Sequence, residues 1–124
     1  MSTLPVNLYE YAVKSMDYVV DGDTADLTID LGFKTYRTER IRFAGIDAPE
    51  HGDEPGYTEA KDYVIDLKKR LDEGFSTLSI VSIRDKHDVY GRYLATLFES
   101  TVDGYLDVCQ DMLDESLVTA YEPK

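Results

Sequence analysis

Apolar and polar residues alternate with a period of two in the first part of the chain. Tyr9, Tyr11 and Val13 alternate with Glu10 and Lys14. Ala25, Leu27, Ile29 and Leu31 alternate with Asp26, Thr28 and Asp30, which is the cleanest such pattern in the sequence. Successive side chains of a strand point to opposite faces, so both stretches predict half-buried strands. Gly22 marks a turn between them. Gly32 opens a second turn, into a strand over 35–44 in which Ile41 and Phe43 share one face. Arg42 then points to the opposite face, away from the core.

The period changes after residue 57. Ala60, Tyr63, Val64, Leu67 and Leu71 recur at helical spacing and make one apolar stripe. Thr58 is placed to cap the start of this helix, and Gly74 ends the pattern. Residues 78–83 are β-branched and strand-like. Residues 93–98 form a short apolar run that suits a buried strand, and Asp103-Gly104 is a turn. From 106 to about 117 the pattern is helical again, with Cys109, Leu113 and Leu117 on one side.

The order is three strands, helix, two strands, helix. It predicts a mainly β (α+β) domain spanning 1–124. Its architecture is a five-stranded Greek-key barrel of the OB-fold type, with one helix after strand 3 and one near the C-terminus. A small open α+β sheet has the same order and stays open at this point. At 124 residues the chain suits one domain, and its hydrophobic share of 43% is ordinary. No apolar run reaches membrane-spanning length, and residues Met1–Pro5 lack signal-peptide character. A soluble, intracellular protein is expected, of phage or other mobile-element origin. Cys109 is single, which excludes an internal disulfide and suits a small buried hydrophobe.

Charge changes the picture. The formal net charge is −12, an unfavourable balance for meeting a polyanion. The basic residues are nevertheless concentrated in two windows, Lys34, Arg37, Arg40 and Arg42, then Arg84, Lys86 and Arg92. They form a local basic rim on an acidic body. The same windows border the chemistry-bearing stretches Asp21-Gly22-Asp23-Thr24, Asp47-Ala48-Pro49-Glu50 and Tyr90-Gly91-Arg92. Asp23 and Asp47 suit a hard, oxygen-seeking cation such as Ca²⁺. Arg42 and Arg92 suit a phosphate, whose oxygens a guanidinium fork grips in pairs. Glu50 is left to handle a water proton. A metal, a phosphate clamp and a base add up to phosphodiester hydrolysis. His51 is read as a loop residue, since two distant histidines and one cysteine do not make a zinc set.

Taken in order and at their spacings, these stretches resemble the staphylococcal nuclease (thermonuclease) family. The resemblance runs from about Tyr18 to Tyr121. It is carried by Val20–Thr24, Ile41-Arg42, Ile46–Glu50 and Asp88–Arg92. It implies the barrel, with Ca²⁺ held by Asp23, Asp47 and the backbone carbonyl of Ala48, where the family's best-known member has threonine. It implies Arg42 and Arg92 as catalytic arginines and Glu50 as general base. Asp21 and Thr24 are expected to orient ligands or waters. Tyr90 matches a phosphate-contacting tyrosine, with packing at the barrel edge as its alternative. Tyr121 stacks on a base or caps the core. Val89 replaces a lysine, the loop 52–56 is short and acidic, and a further C-terminal helix of the best-known member has no counterpart here. A monomer is expected, with a dimer contact as the alternative.

The activity implied is Ca²⁺-dependent, sugar-nonspecific hydrolysis of DNA and RNA, favouring single strands and leaving 3′-phosphate ends. The competing reading is a catalytically inactive nuclease-like OB-fold module that binds nucleic acid or a protein partner. The complete set Asp23, Arg42, Asp47, Glu50 and Arg92 speaks against it. An acidic decoy mimicking DNA is excluded by arginines where acids would be needed.

Overall fold

In the computed structural model the first three predicted strands form one antiparallel run. They are β1 (Glu10–Asp21), β2 (Thr24–Asp30) and β3 (Tyr36–Phe43). The structure describes residues 9–87 and 90–121, with 84–86 described by backbone alone. The readings placed on Met1–Pro5, Asp88, Val89 and the side chains of Arg84 and Lys86 lie outside the described residues. A two-residue strand β4 (Ile46–Asp47) leads to α1 (Gly56–Asp72), then β5 (Thr77–His87) and β6 (Tyr93–Thr101). A short β7 (Gly104–Asp107), α2 (Val108–Asp114) and β8 (Thr119–Ala120) follow. Among the described residues no helix is long and apolar enough to cross a membrane.

The sheet closes. β2 pairs with β1 and β3, β1 pairs with β5 through Glu10–Val13, and β5 pairs with β6, all antiparallel. The first residues of β6 then pair in parallel with the end of β3, Ile41 opposite Tyr93, Arg42 opposite Leu94 and Phe43 opposite Ala95. The result is a five-stranded mixed barrel with two helices, as the OB-type order predicts. Closure is helped by irregularities along β1, between Val13 and Ser15, Met16 and Tyr18, and Val19 and Asp21, where the strand bends and twists. These shifts also break the alternation, which is why the sequence pattern stops at Lys14 while the strand runs on to Asp21.

Met16, Leu27, Phe43, Ile80 and Leu97 are fully buried within the barrel, and α1 adds Ala60, Val64 and Leu67 to the same core. Arg70 of α1 grips buried Glu99 of β6 with two hydrogen bonds, Nε at 2.7 Å and Nη2 at 3.0 Å. Tyr63 donates its hydroxyl hydrogen to Asp111 of α2 at 2.7 Å.

Two local expectations need correction. Thr58 does not cap α1. The helix starts at Gly56, and Glu54 accepts hydrogen bonds from the Thr58 amide and hydroxyl, so the preceding acid closes the helix start. The second helix begins at Val108 rather than Leu106, because Tyr105 and Leu106 continue the Asp103-Gly104 hairpin as a strand beside β6. Asp107 caps that helix by accepting from the Gln110 amide at 3.0 Å. Asp47 lies beyond the third strand, after the Ala44-Gly45 turn, in β4. Cys109 is buried as read, and burial pushes its thiol up to about 11.

Candidate active site

Two chain segments set the site at one end of the barrel. The first is the tight turn Gly22-Asp23 between β1 and β2. Asp21 pairs with Thr24 across it, and the Asp21 carboxylate accepts from the Asp23 amide at 3.0 Å. The second is β4, held against β8, with Ile46 opposite Ala120 and Asp47 opposite Thr119. The Tyr121 amide extends this pairing to the Gly45 carbonyl at 2.9 Å.

Asp23 is buried and links the two segments. One carboxylate oxygen accepts from the Ala48 amide at 2.8 Å, and the other accepts from the Thr24 hydroxyl at 2.9 Å. Arg42 lies between Asp23 and Asp47. Its Nη2 is 3.5 Å from Asp23 Oδ2 and 3.3 Å from Asp47 Oδ1, and its Nη1 donates to the Phe43 carbonyl at 2.9 Å. Arg42 does face away from Ile41 and Phe43, as alternation requires. It is nevertheless only 8% exposed. The β4–β8 pair and Tyr121 cover this part of the outer surface, and the guanidinium lies over the Tyr121 ring at 5.6 Å.

Thr24 joins the second arginine to this group. It pairs with Arg42 in the β2–β3 ladder, and its hydroxyl oxygen lies 3.4 Å from Arg92 Nη1. Arg92 in turn lies 5.0 Å from the Tyr90 ring centroid. Tyr90 is 80% exposed and Tyr121 is 46% exposed, so both rings keep an open face beside the arginines they contact. Glu50 is exposed on an open cavity of about 380 Å³ that it shares with Asp47, Ala48, Asp53 and the segment Ser116–Thr119. Among the described residues its carboxylate makes no hydrogen bond or ion pair with Asp23 or Arg42. The structure thus gathers Asp21, Asp23, Thr24, Arg42, Asp47, Ala48, Arg92, Tyr90 and Tyr121 into one connected group, with Glu50 beside it.

The electrostatics suit a cation. Burial and the neighbouring Asp23 push the Asp21 carboxyl up to about 6. Against the cost of its own burial, hydrogen bonds from Asp21, the Ala48 amide and Thr24, with the Arg42 charge, hold Asp23 below its usual range. Below about pH 6 the two crowded carboxylates share a proton, and a bound positive charge would ease their repulsion. Asp23 and Asp47 also converge on a single guanidinium nitrogen. Among the described residues no three His, Cys, Asp or Glu side chains converge on one point. Such a donor set fits a hard ion completed by carbonyl oxygens and water, and does not fit zinc.

Sequence reasoning missed what holds Asp47 in place. Thr119 pairs with it, and the Thr119 hydroxyl reaches the Asp47 carbonyl at 3.4 Å. Two-residue strands have too little length for a periodic signal, so no pattern could have exposed β4 and β8.

No family model matches the chain. The chain is similar to a protein named probable endonuclease LCL3 from Candida glabrata, at 36% identity over 98 residues. The match covers 73% of this chain and 37% of that protein, so the chain spans little more than a third of the length of the curated relative it matches.

Proposed function

We propose that this chain is a nuclease domain that hydrolyses phosphodiester bonds in DNA and RNA with the help of Ca²⁺. The observation that carries the reading is the buried guanidinium of Arg42 held between Asp23 and Asp47, with Arg92 joined to it through Thr24. A buried arginine fixed by two carboxylates is preorganised, and such a group aimed at developing negative charge is the main source of rate in acyl and phosphoryl chemistry. The similarity to a probable endonuclease supports a nuclease-like activity independently of the geometry.

Asp23, Asp47 and the Ala48 carbonyl would hold the ion, which when bound would neutralise a phosphate oxygen and make a water more acidic. The chain's own residues supply the rest. Arg42 and Arg92 donate to the non-bridging phosphate oxygens and stabilise the charge that builds on them as water attacks phosphorus. Glu50, exposed on the cavity beside Asp47, accepts the proton of that water. The bond from phosphorus to the 5′ oxygen breaks, the 5′ oxygen takes up a proton from solvent, and a 3′-phosphate remains. An open rim of this kind admits a flexible single strand more readily than a stiff duplex.

Purified protein is incubated with end-labelled single-stranded DNA or RNA in Ca²⁺, in Mg²⁺ or in chelator. Cleavage in Ca²⁺, little in Mg²⁺ and none in chelator is expected, with ends that a phosphatase converts to 3′-hydroxyls. Undiminished cleavage in chelator would remove the metal from the reaction.

A further inference from the structure

The turn between β2 and β3 lies at the other end of these strands from the site, and it combines two features that the barrel does not require. Phe33 at its tip is fully exposed. Phe33 and Lys34 also have φ values of 56° and 60°, following Gly32 at 84°. Left-handed backbone costs a non-glycine residue roughly 1 kcal/mol or more, and a bulky aromatic is uncommon there. The strain is nonetheless held in an ordered turn. Leu31 donates to the Thr35 carbonyl at 2.9 Å, Thr35 to the Gly32 carbonyl at 2.9 Å, and Gly32 to the Asp30 carboxylate at 2.8 Å. A chain folding for stability alone would place glycine or asparagine at position 33.

This end of the hairpin carries basic residues although the chain has a net charge of −12. Lys34 is its neighbour in the turn. Lys14 Nζ lies 4.1 Å from the centroid of the half-exposed Tyr36 ring, and Arg37 follows. The carboxylates of this hairpin are already engaged. Asp30 is bonded within the turn, Asp26 is paired with Arg40 at 2.7 Å, and Glu39 is paired with Arg37. Tyr36, Thr38, Arg40 and Arg42 are alternate residues of β3 and share its outer face. That row leads from Tyr36, at the foot of the turn, to Arg42 in the candidate site over six residue steps, a path of about 20 Å at ~3.3 Å per residue.

We propose that the β2–β3 hairpin tip is a second contact for a single nucleic-acid strand, with a base stacked on Phe33 and backbone phosphates met by Lys34 and Lys14. The identity of this partner rests on the nuclease reading. Stacking on an exposed ring beside cations grips a strand without regard to sequence, and the path from tip to site falls within the ~4–16 nucleotides that one OB fold covers. The hairpin holds the strand at a distance from the bond being cut, which offsets the repulsion of the acidic body.

The test uses fluorescein-labelled oligodeoxythymidylates of four and sixteen nucleotides. Anisotropy is recorded in chelator, and steady-state cleavage in Ca²⁺. Phe33→Ala and Lys34→Glu are expected to weaken binding of the 16-mer about five- to hundredfold, the span of single-base stacking, and to leave the 4-mer unchanged. KM for the 16-mer rises and kcat holds. Phe33→Gly is expected to bind as weakly as Phe33→Ala while melting no lower than wild type, because it removes both the ring and the strain. Equal affinity of wild type and Phe33→Ala for the 16-mer overturns the proposal. So does self-association that disappears in Phe33→Ala while oligonucleotide binding is unchanged, which would make the tip a protein contact. Hairpin-dependent binding without any cleavage would sink the nuclease reading and leave the hairpin contact standing.

Discussion

Gly22 in the β1–β2 turn and Ala60 on α1 are in such close contact that a Cβ at Gly22 would lie 2.6 Å from the Ala60 Cβ and 3.0 Å from the Ala48 Cβ. The helix thereby fixes the height of the turn that presents Asp21 and Asp23, and Ala48 is fixed by the same contact. Gly22→Ala is expected to destabilise the fold by about 1–3 kcal/mol through overpacking. It should also lower Ca²⁺-supported cleavage at temperatures where the variant is fully folded, because the displaced turn carries Asp21 and Asp23. Urea unfolding and initial rates check both parts, and an unchanged midpoint would show that the helix yields.

Arg42→Lys and Arg92→Lys are each expected to fall about 10²–10³-fold in kcat while keeping a folded circular dichroism spectrum. Lysine retains the charge and loses the fork that reaches both a phosphate and, for Arg42, the Phe43 carbonyl. Near-normal turnover in either variant would withdraw the phosphate role from that residue.

Asp23→Ala and Asp47→Ala should both weaken Ca²⁺ binding by calorimetric titration, yet differ in stability. Asp23 accepts from the Ala48 amide and the Thr24 hydroxyl, so its removal leaves buried donors unmatched and costs about 1–3 kcal/mol. Asp47 is exposed, although it pairs with buried Arg42, and its removal should cost less, about 0.2–1 kcal/mol. Unchanged Ca²⁺ affinity in both variants would place the metal elsewhere.

The Arg70–Glu99 pair sets an acid-side limit to stability. The Arg70 hydrogen bonds hold Glu99 below its ordinary 4.5. A carboxylate depressed in the folded state stabilises above its unfolded value and loses that contribution as pH falls through the folded one. Glu99→Gln is therefore expected to cost about 1–2 kcal/mol at pH 7, toward the low end for a charged hydrogen bond because the Arg70 side chain is 40% exposed. The gap between variant and wild type should close below about pH 4.5, measured by urea unfolding across pH. A gap that persists at pH 3 would mean that packing, not charge, distinguishes the two.

The barrel was legible because its inward faces are written as alternation, Ala25 to Ile29 above all, and because Ala60, Val64 and Leu67 keep one helical stripe. Asp23, Arg42 and Asp47 were legible as one group because their stretches were read together, and the structure does place both carboxylates within 3.5 Å of the Arg42 guanidinium. What stayed hidden depends on partners distant in sequence. Arg42 read as pointing outward, and only the β4–β8 pairing, 72 residues apart between Asp47 and Thr119, shows why an outward residue is buried. Leu106 read as helical because its apolar neighbours share a period of nearly four. The hydrogen bonds of β6, available only in the folded chain, decide for a strand there. Thr58 has the chemistry of a cap, but Glu54 reaches its amide first.

The parallel seam between β3 and β6 has a consequence for the order in which the chain organises itself. Every other barrel pairing is antiparallel, while this one joins Arg42 to Leu94 across the whole of α1 and β5. Closing so long a stretch of chain carries a large entropy cost that local hairpins avoid. Hairpins β1–β2–β3 and β5–β6 can therefore each gather before the seam does. Arg42 belongs to the first and Arg92 precedes the second strand of the other, so neither half-built intermediate holds both guanidiniums in register. On the nuclease reading proposed above, the two guanidiniums come into register only with the final zipping of the cylinder, so a refolding chain sampled short of that step should show no cleavage of nucleic acid.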